Sequence, residues 1–393
     1  MTKTVLLTLG RLPKALELAR AMKRAGYRVI VAEPFAWHVS KPSNSVDKSL
    51  TVTAPGDDPQ GYLDDMLAIV KAHAVDLIVP VSEESMHVAA LHERLPPGVA
   101  MFGAPQAELL SLHNKFEFVE RARSYGLAVP ETFIASSAEA GALARNGPHV
   151  VKPIFSCSGK GVKINRSGLP LSAQDAAPGA IVQRFVAGQV YSSFTIADHG
   201  HCVVTSVYKG TVISGTVAVA FERVLQAPAV HAWIERFVAA ASYTGFIAFD
   251  FVEAACGTIY AIECNPRMTS GVHFIHPGDL ARAITDPADA RAIRFKDKTQ
   301  LQQFYPCLTE TQASVFKPAA RSNNLHYLRT SRDVIWEASD PWPFLLMPVM
   351  SYKILALSIF KGLSFGEAAT RDIEWTSAHH EAALRAAGDT RRT

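Results

Sequence analysis

The sequence has few cysteines, little net charge and no long apolar run near its start, and each shortage narrows the range of functions. The five cysteines are odd in number, scattered and without a CxxC pair. That usage argues against a disulfide framework or a zinc site and fits a reducing cytoplasm. A formal net charge of +3 is too small to indicate a nucleic-acid partner. The first apolar run is broken by Arg11 and Lys14, so we expect no signal peptide.

The most apolar stretch of the chain, residues 343–362, does not have the pattern of a membrane span. Lys353 stands in its middle and Pro348 interrupts it, so fewer than roughly 18 uninterrupted apolar residues remain. We favour a packed or interfacial helix over a span. A membrane-associated protein anchored by this stretch is the weaker alternative.

The N-terminal part has the pattern of a parallel α/β domain. A buried strand at residues 4–9, a helix opened by Pro13 and a second strand form a β-α-β unit. The GxGxxG pattern of dinucleotide-binding domains is missing. Glu83 and Glu84 follow a later strand, DLIVPV, at the end where open α/β sheets bind ligands. A polar helix start is an equally good explanation for this pair.

Residues 244–271 predict a β-hairpin that gathers polar side chains on one face. Two apolar arms flank Cys256-Gly257, which we interpret as a two-residue turn. Such a turn puts Asp250 directly opposite Glu263, with Asn265 on the same face as Glu263. Because opposed carboxylates repel, a divalent cation would stabilise them, and this oxygen-rich set suits magnesium bound to a nucleotide phosphate. A solvated polar face is the alternative.

Other residues predict anion binding nearby. Arg267, just after the hairpin, carries a fork of donors that suits an anion. Lys152 lies on the predicted strand HVVKP, where a buried lysine needs an anionic partner. The loop after this strand is small and contains glycine, so its N–H groups can approach a phosphate. Its candidate contact residues are Ser156, Ser158, Gly159 and Gly161. An ordinary hairpin turn is the alternative for this loop.

The run from Asp250 through Glu263 to Asn265 in ECNPRMTSG, with the strand lysine and glycine loop before it, resembles the ATP-grasp superfamily. Those enzymes join a carboxylate to an amine, thiol or similar nucleophile through an acyl phosphate. The resemblance covers about residues 1–275. It implies that ATP is a cosubstrate. It also implies that the side chains of Asp250, Glu263 and Asn265 bind magnesium, with manganese as the alternative ion.

The resemblance also implies roles for residues outside the hairpin. Lys115 would reach the nucleotide phosphates, and the 156–161 loop would cover them as a lid. The backbone of the two residues after Gln183 would meet the adenine edge. The expected nucleotide-binding residues of this linker are Gln183, Arg184, Phe185 and Val186. The sequence departs from the family at two places. Arg184 stands where many relatives have glutamate, and there is no acidic residue at Gln189 or Val190 to bind the ribose hydroxyls.

Residues 194–225 predict three antiparallel strands that carry a few charged side chains. Arg223 is one of them and is a candidate contact for phosphate or substrate, with an exposed strand face as the equal alternative. With Arg267, which would stabilise the acyl phosphate, it completes the pair of candidate catalytic residues.

We therefore expect an α/β and α+β fold in four parts. They are a Rossmann-like domain at 1–103, an ATP-grasp subdomain with the lid at 104–180, a second with the metal-binding hairpin at 181–275, and a mainly helical tail at 276–393. The expected activity is an ADP-forming ligase for a small-molecule carboxylate and amine. Nucleic acid and membrane are disfavoured as partners, and a homo-oligomer is compatible with the sequence. An ATP-binding homologue without ligase activity is the alternative.

Overall fold

The computed structural model describes residues 2–157, 159–289 and 292–390. Ser158 lies outside these ranges, so its proposed phosphate contact stays a prediction. The described residues form three β-sheets of five, four and seven strands with helices around them.

The first sheet is parallel, as the β-α-β pattern predicts, with the strand order β3-β2-β1-β4-β5. Its strands are β1 Thr4–Leu7, β2 Arg28–Glu33, β3 Lys48–Thr51, β4 Leu77–Val79 and β5 Ala100–Met101. Its helices are α1 Pro13–Arg24, α2 Pro59–His73 and α3 Ser85–Val88, with a 3₁₀ turn at Ala89–Leu91. Pro13 occupies the first turn of α1, where its missing N–H costs nothing.

The second sheet is antiparallel, with the order β6-β9-β7-β8. Its strands are β6 Thr132–Ile134, β7 His149–Pro153, β8 Lys163–Asn165 and β9 Ala180–Arg184, and its helices are α4 Gln106–His113, α5 Lys115–Ser124 and α6 Ala138–Arg145. The Asn114 side chain caps α5 by accepting from two backbone N–H groups, which fixes Lys115 at the first helical position.

The third sheet has the order β14-β13-β10-β11-β12-β15-β16. Residues 185–187 link it to the second sheet. Its main strands are β10 Gly188–Asp198, β11 His201–Ser214, β12 Val217–Arg223, β13 Gly245–Ala254 and β14 Ile259–Asn265, and helix α7 Pro228–Ala241 precedes β13. These elements match the predicted strands and helix closely.

The tail is mainly helical, as expected, but it also extends the third sheet by two short strands. These are β15 Gln300–Gln302, antiparallel to β12, and β16 Arg332–Asp333. Its helices are α8 Pro277–Thr285, α9 Phe304–Ala313, α10 Pro318–Thr330, α11 Trp342–Leu345, α12 Met347–Met350, α13 Tyr352–Lys361, α14 Phe365–Thr370 and α15 Ser377–Thr390, with 3₁₀ turns at Ser270–Phe274 and Pro287–Asp289. None of the helices in the described ranges has the length and hydropathy needed to cross a bilayer.

The β13–β14 hairpin pairs Asp250 with Glu263, as predicted, but not through the predicted turn. The connection has three residues, 255–257, because Ala254 donates its N–H to Thr258. Gly257 takes up a positive φ of 82° there, a conformation in which glycine is favoured. A bulge at Ile262 then shifts the register back by one residue. The two departures cancel, so Asp250 faces Glu263 after all.

An aromatic cluster fixes the other face of the hairpin. Trp233 and Phe237 of α7 stack with their ring centroids 5.4 Å apart, and both contact Phe249 of β13. Phe251, two residues on, meets Trp233 at 5.2 Å. Because side chains alternate along a strand, Asp250 between these two rings projects to the opposite face.

Candidate active site

Asp250 and Glu263 line a large cavity, and we call this pair of carboxylates the acidic centre. The cavity has a volume of about 310 Å3 and is lined by both carboxylates, Asn265 and Arg267. Ser192 donates a hydrogen bond of 2.6 Å to Asp250 Oδ1. Burial and the neighbouring charge of Glu263 raise the pKa of Asp250 to about 6.

The donor set fits a hard divalent cation. Two carboxylates that disfavour each other's charge would both be stabilised by such an ion. The Asn265 amide has its nitrogen toward Asp250, at 3.4 Å, while its oxygen accepts from Arg267 at 2.9 Å. As a metal ligand Asn265 would need the reverse orientation of its amide, so the two carboxylates are the stronger part of the predicted metal set.

Arg267 has a buried acidic partner that connects the hairpin to the first sheet. Its Nε lies 2.5 Å from Glu83 Oε1, and Glu83 is only 1% exposed. Although burial opposes ionisation, the charge of Arg267 holds the pKa of Glu83 below its usual value. Glu84 instead accepts from Thr8 and from the N–H groups of Val81 and Ser82. Of the two glutamates, Glu83 is therefore the one in the site, and Glu84 is structural.

The two predicted phosphate lysines are buried and face the hairpin. Lys115 Nζ donates to the Ser156 carbonyl at 2.9 Å and lies 3.6 Å from Glu263. Lys152 Nζ donates to Gln183 Oε1 at 2.8 Å and to the carbonyl of the bulge residue Ile262 at 3.1 Å. The expected anionic partner of Lys152 is thus replaced by neutral oxygens. Burial lowers the pKa of Lys152 to about 8, which a bound phosphate would raise again.

The glycine loop lies over the cavity and is held there by the tail. Gly159 and Gly161 have positive φ values of 70° and 73°, and Gly159 lines the cavity. Lys160 Nζ lies 2.7 Å from Glu374 Oε1, and the Cys157 thiol donates to the other oxygen of Glu374 at 3.3 Å. Burial raises the pKa of the Cys157 thiol, which disfavours a nucleophilic thiolate.

The linker residues are not gathered into this cavity. Arg184 is exposed and its guanidinium lies 2.5 Å from Glu131. The N–H groups of Arg184 and Phe185 donate to the carbonyls of Glu131 and Pro148, and the contact of this backbone with the adenine edge stays a prediction. Val186 is half-buried in the connection between the sheets.

Arg223 is also away from the cavity. Its guanidinium stacks over the Phe295 ring at 4.4 Å, and it is not among the described lining residues. The structure therefore favours the alternative, a strand-face residue, for Arg223.

Three functional candidates have no counterpart in the sequence-based prediction: Lys14, the Glu83–Arg267 pairing and Glu374. Lys14 lines the cavity and donates to the Met268 carbonyl at 2.6 Å. A signal existed for Lys14, because it follows β1 at the ligand-binding end of a parallel sheet. Glu374 had no local signal, since it meets Lys160 across 214 positions.

Comparison with known proteins agrees with this geometry. A profile of the ATP-grasp domain matches residues 112–271. The sequence has no match among curated proteins. Solved structures with a similar fold include Rhizobium etli pyruvate carboxylase, at a TM-score of 0.59 and 19% identity over 74% of this chain. The match spans only 29% of that much longer chain.

Two further structures match over most of their own length. One is the biotin carboxylase domain of Hydrogenobacter thermophilus 2-oxoglutarate carboxylase, in complex with MgADP, ADP and bicarbonate, with a TM-score of 0.59, 16% identity and coverage of 75% of this chain and 73% of that one. The other is the L-amino acid ligase from Bacillus licheniformis, with a TM-score of 0.54, 16% identity and coverage of 72% and 74%. Residues 112–271 are identified as an ATP-grasp domain.

Proposed function

We propose that this protein is an ATP-dependent ligase that phosphorylates a substrate carboxylate and joins the resulting acyl group to an amine, releasing ADP and phosphate. The observation that carries the proposal is the opposed pair Asp250–Glu263, with Arg267 beside it and two buried lysines behind it. The carboxylases and the amino acid ligase among the similar folds support this class of reaction.

In this proposal the chain supplies positioning and charge. Lys115 and Lys152 would hold the phosphates, and Gly159 and Gly161 would let the loop backbone approach them. A magnesium or manganese ion at the Asp250–Glu263 pair would neutralise the charge that develops on the transferred phosphoryl group. Arg267, fixed by Glu83, would stabilise the acyl phosphate. The odd number and the scatter of the five cysteines support our placement of the protein in the cytoplasm.

The products of ATP turnover test this function. Phosphate release should appear in a screen of carboxylate and amine pairs. Chromatography should find ADP and inorganic phosphate, because a metal held by Asp250 and Glu263 would favour transfer of the terminal phosphoryl group. AMP with pyrophosphate would overturn the mechanism. ATP binding without release of phosphate from any pair would favour the ATP-binding homologue without ligase activity.

The loop glycines give a second test of the nucleotide site. Gly159→Val should raise the KM for ATP by about tenfold, or roughly 1.4 kcal/mol, because the new Cβ would lie 3.0 Å from Thr216 and displace the loop. Gly98→Val is the matched control, since Gly98 also has a positive φ, of 88°, but nothing within 4 Å of its Cβ position. ATP kinetics measure the change in KM of both variants, and thermal melts measure the loss of stability that a side chain at a positive φ causes in each. An equal KM in both would remove the loop from the nucleotide site.

A further inference from the structure

The cavity continues well beyond the acidic centre. Asp250 pairs with Ser192, and Ser192 pairs with Tyr208, so these three residues form one row across β13, β10 and β11. The lining also includes Ser214 and residues 216–219, at the turn between β11 and β12. Ser214 lies six positions beyond Tyr208 along β11, a distance of up to about 20 Å. The cavity is therefore elongated, with the acidic centre at one end only.

The far end of the cavity is lined by apolar side chains and by the polar residues Ser214, Thr216, Gln303, Ser351 and Thr370. Its walls come from the β11–β12 hairpin and from tail helices, and the apolar lining residues there are Val217, Val219, Pro306, Met347, Phe365 and Ala369. A Cβ on Gly366 would lie 2.8 Å from Val217, so α14 packs directly on the hairpin. Arg11 reaches the Ala369 carbonyl, but its guanidinium is already paired with Glu33 and Asp372. The six apolar side chains favour contact with an apolar ligand group.

The other end of the cavity holds an excess of positive charge next to the acidic centre. Lys14 is 9% exposed and Arg267 lies close enough for its charge, together with burial, to lower the pKa of Lys14 to about 7. Glu83 compensates one of these two cations. Protonated Lys14 is the cation that remains once Glu83 has paired with Arg267, and a single bound carboxylate would stabilise that protonated form.

We infer that the carboxylate substrate is a monocarboxylic acid with an uncharged, apolar body. Its carboxylate lies between Lys14 and Arg267, beside the acidic centre, and its body extends toward Val217, Val219 and Met347. The inference rests on the proposed ligase function for the role of the carboxylate. The cavity, with a volume of about 310 Å3, has room for an acid with a body of several carbon atoms.

Octanoate and suberate test this inference by binding alone. They have the same chain length, but suberate carries a second carboxylate at the far end. Calorimetric titration of the protein with bound Mg-ADP should show octanoate binding at least tenfold more tightly, because the second carboxylate of suberate would be buried without a partner. Equal affinities, or no binding of octanoate, would overturn the inference.

Two variants locate the ends of the ligand. Val217→Asp should weaken octanoate binding at least tenfold. Ile213→Asp is the control, because it also introduces an aspartate into this hairpin but at a half-exposed position outside the lining, and it should leave octanoate binding unchanged. Lys14→Met should weaken the binding of octanoate as well. Melting curves establish that each variant is folded. Equal effects of the two aspartate substitutions would also contradict the inference.

These measurements separate the inference from the proposed function. Selective binding of octanoate without phosphate release from any carboxylate and amine pair would overturn the ligase function and leave the apolar pocket in place. Phosphate release with polar acids alone, and no preference for octanoate, would overturn the pocket assignment and leave the ligase function in place.

Discussion

Replacing Glu263 with glutamine should lower turnover on the order of a hundredfold or more, which corresponds to roughly 2.7 kcal/mol or more at the transition state. The substitution keeps the shape of the side chain and removes one of the two opposed charges that would hold the metal. Steady-state kinetics with Mg-ATP measure the loss. Glu222→Gln is the control, because Glu222 lies in the same sheet but outside the described lining of the cavity. Full activity of Glu263→Gln would remove Glu263 from the site.

The same variant should be more stable than the parent in the absence of Mg-ATP. The pKa of Asp250 is raised to about 6 in the folded protein, above the usual value of 3.8. A raised carboxyl pKa contributes stability that is present below about pH 4 and is lost as the pH rises through about 6. Removing the Glu263 charge reduces that loss, and Lys115, 3.6 Å from Glu263, keeps its hydrogen bonds to Ser156. The variant should therefore melt higher at pH 8 and equally at pH 4. Mg-ATP should stabilise the parent more than the variant.

Replacing Arg11 with methionine should destabilise the protein by about 3–5 kcal/mol, because it leaves a buried carboxylate without its partner. Arg11 is 4% exposed and Glu33 fully buried. The Arg11 Nη2 atom lies 2.5 Å from Glu33 Oε1, and its Nη1 lies 2.5 Å from Asp372 Oδ1. Urea unfolding followed by circular dichroism measures the free-energy change.

Arg24→Met on the same helix is the matched control. Arg24 also pairs with a glutamate, Glu337, but at a partly exposed position, so its loss should cost under about 1 kcal/mol. The double variant Arg11→Met, Glu33→Gln should recover much of the stability, since neither charge is then buried alone. The explanation would be wrong if Arg11→Met costs no more than Arg24→Met, or if the double variant is no better than the single one.

The sequence was sufficient to predict those parts of the site that depend on the alternation of side chains along neighbouring strands. Alternation along β13 and β14 put Asp250 opposite Glu263, although the predicted turn was one residue too short. The error was harmless only because the bulge at Ile262 corrects it, and the carbonyl of that bulge accepts from Lys152. Bulges of this kind depend on tertiary contacts and leave no clear mark in a hydrophobic pattern.

The parts that could not be predicted depend on contacts between distant segments. Glu374 looked like any surface carboxylate of the tail, yet it binds Lys160 and Cys157 of the glycine loop. Arg223 looked available for an anion, but Phe295 of the tail covers it. In both cases one of the two partners lies in the tail, where the sequence resemblance ends. Hydrophobic periodicity does not predict which strand or loop a tail residue will contact.

The contacts of the Asp372–Glu374 turn set the order in which the protein can be completed during its synthesis. Asp372 follows Arg11 by 361 positions, so it is synthesised about 20–70 s later at roughly 5–20 residues per second. Glu33 is available to Arg11 within the first few seconds, so the N-terminal sheet can form early. Lys160 of the glycine loop pairs with Glu374, which lies 214 positions later. That ion pair can form only after Glu374 has left the ribosome, so the contact that holds Lys160 at the cavity is made late in synthesis.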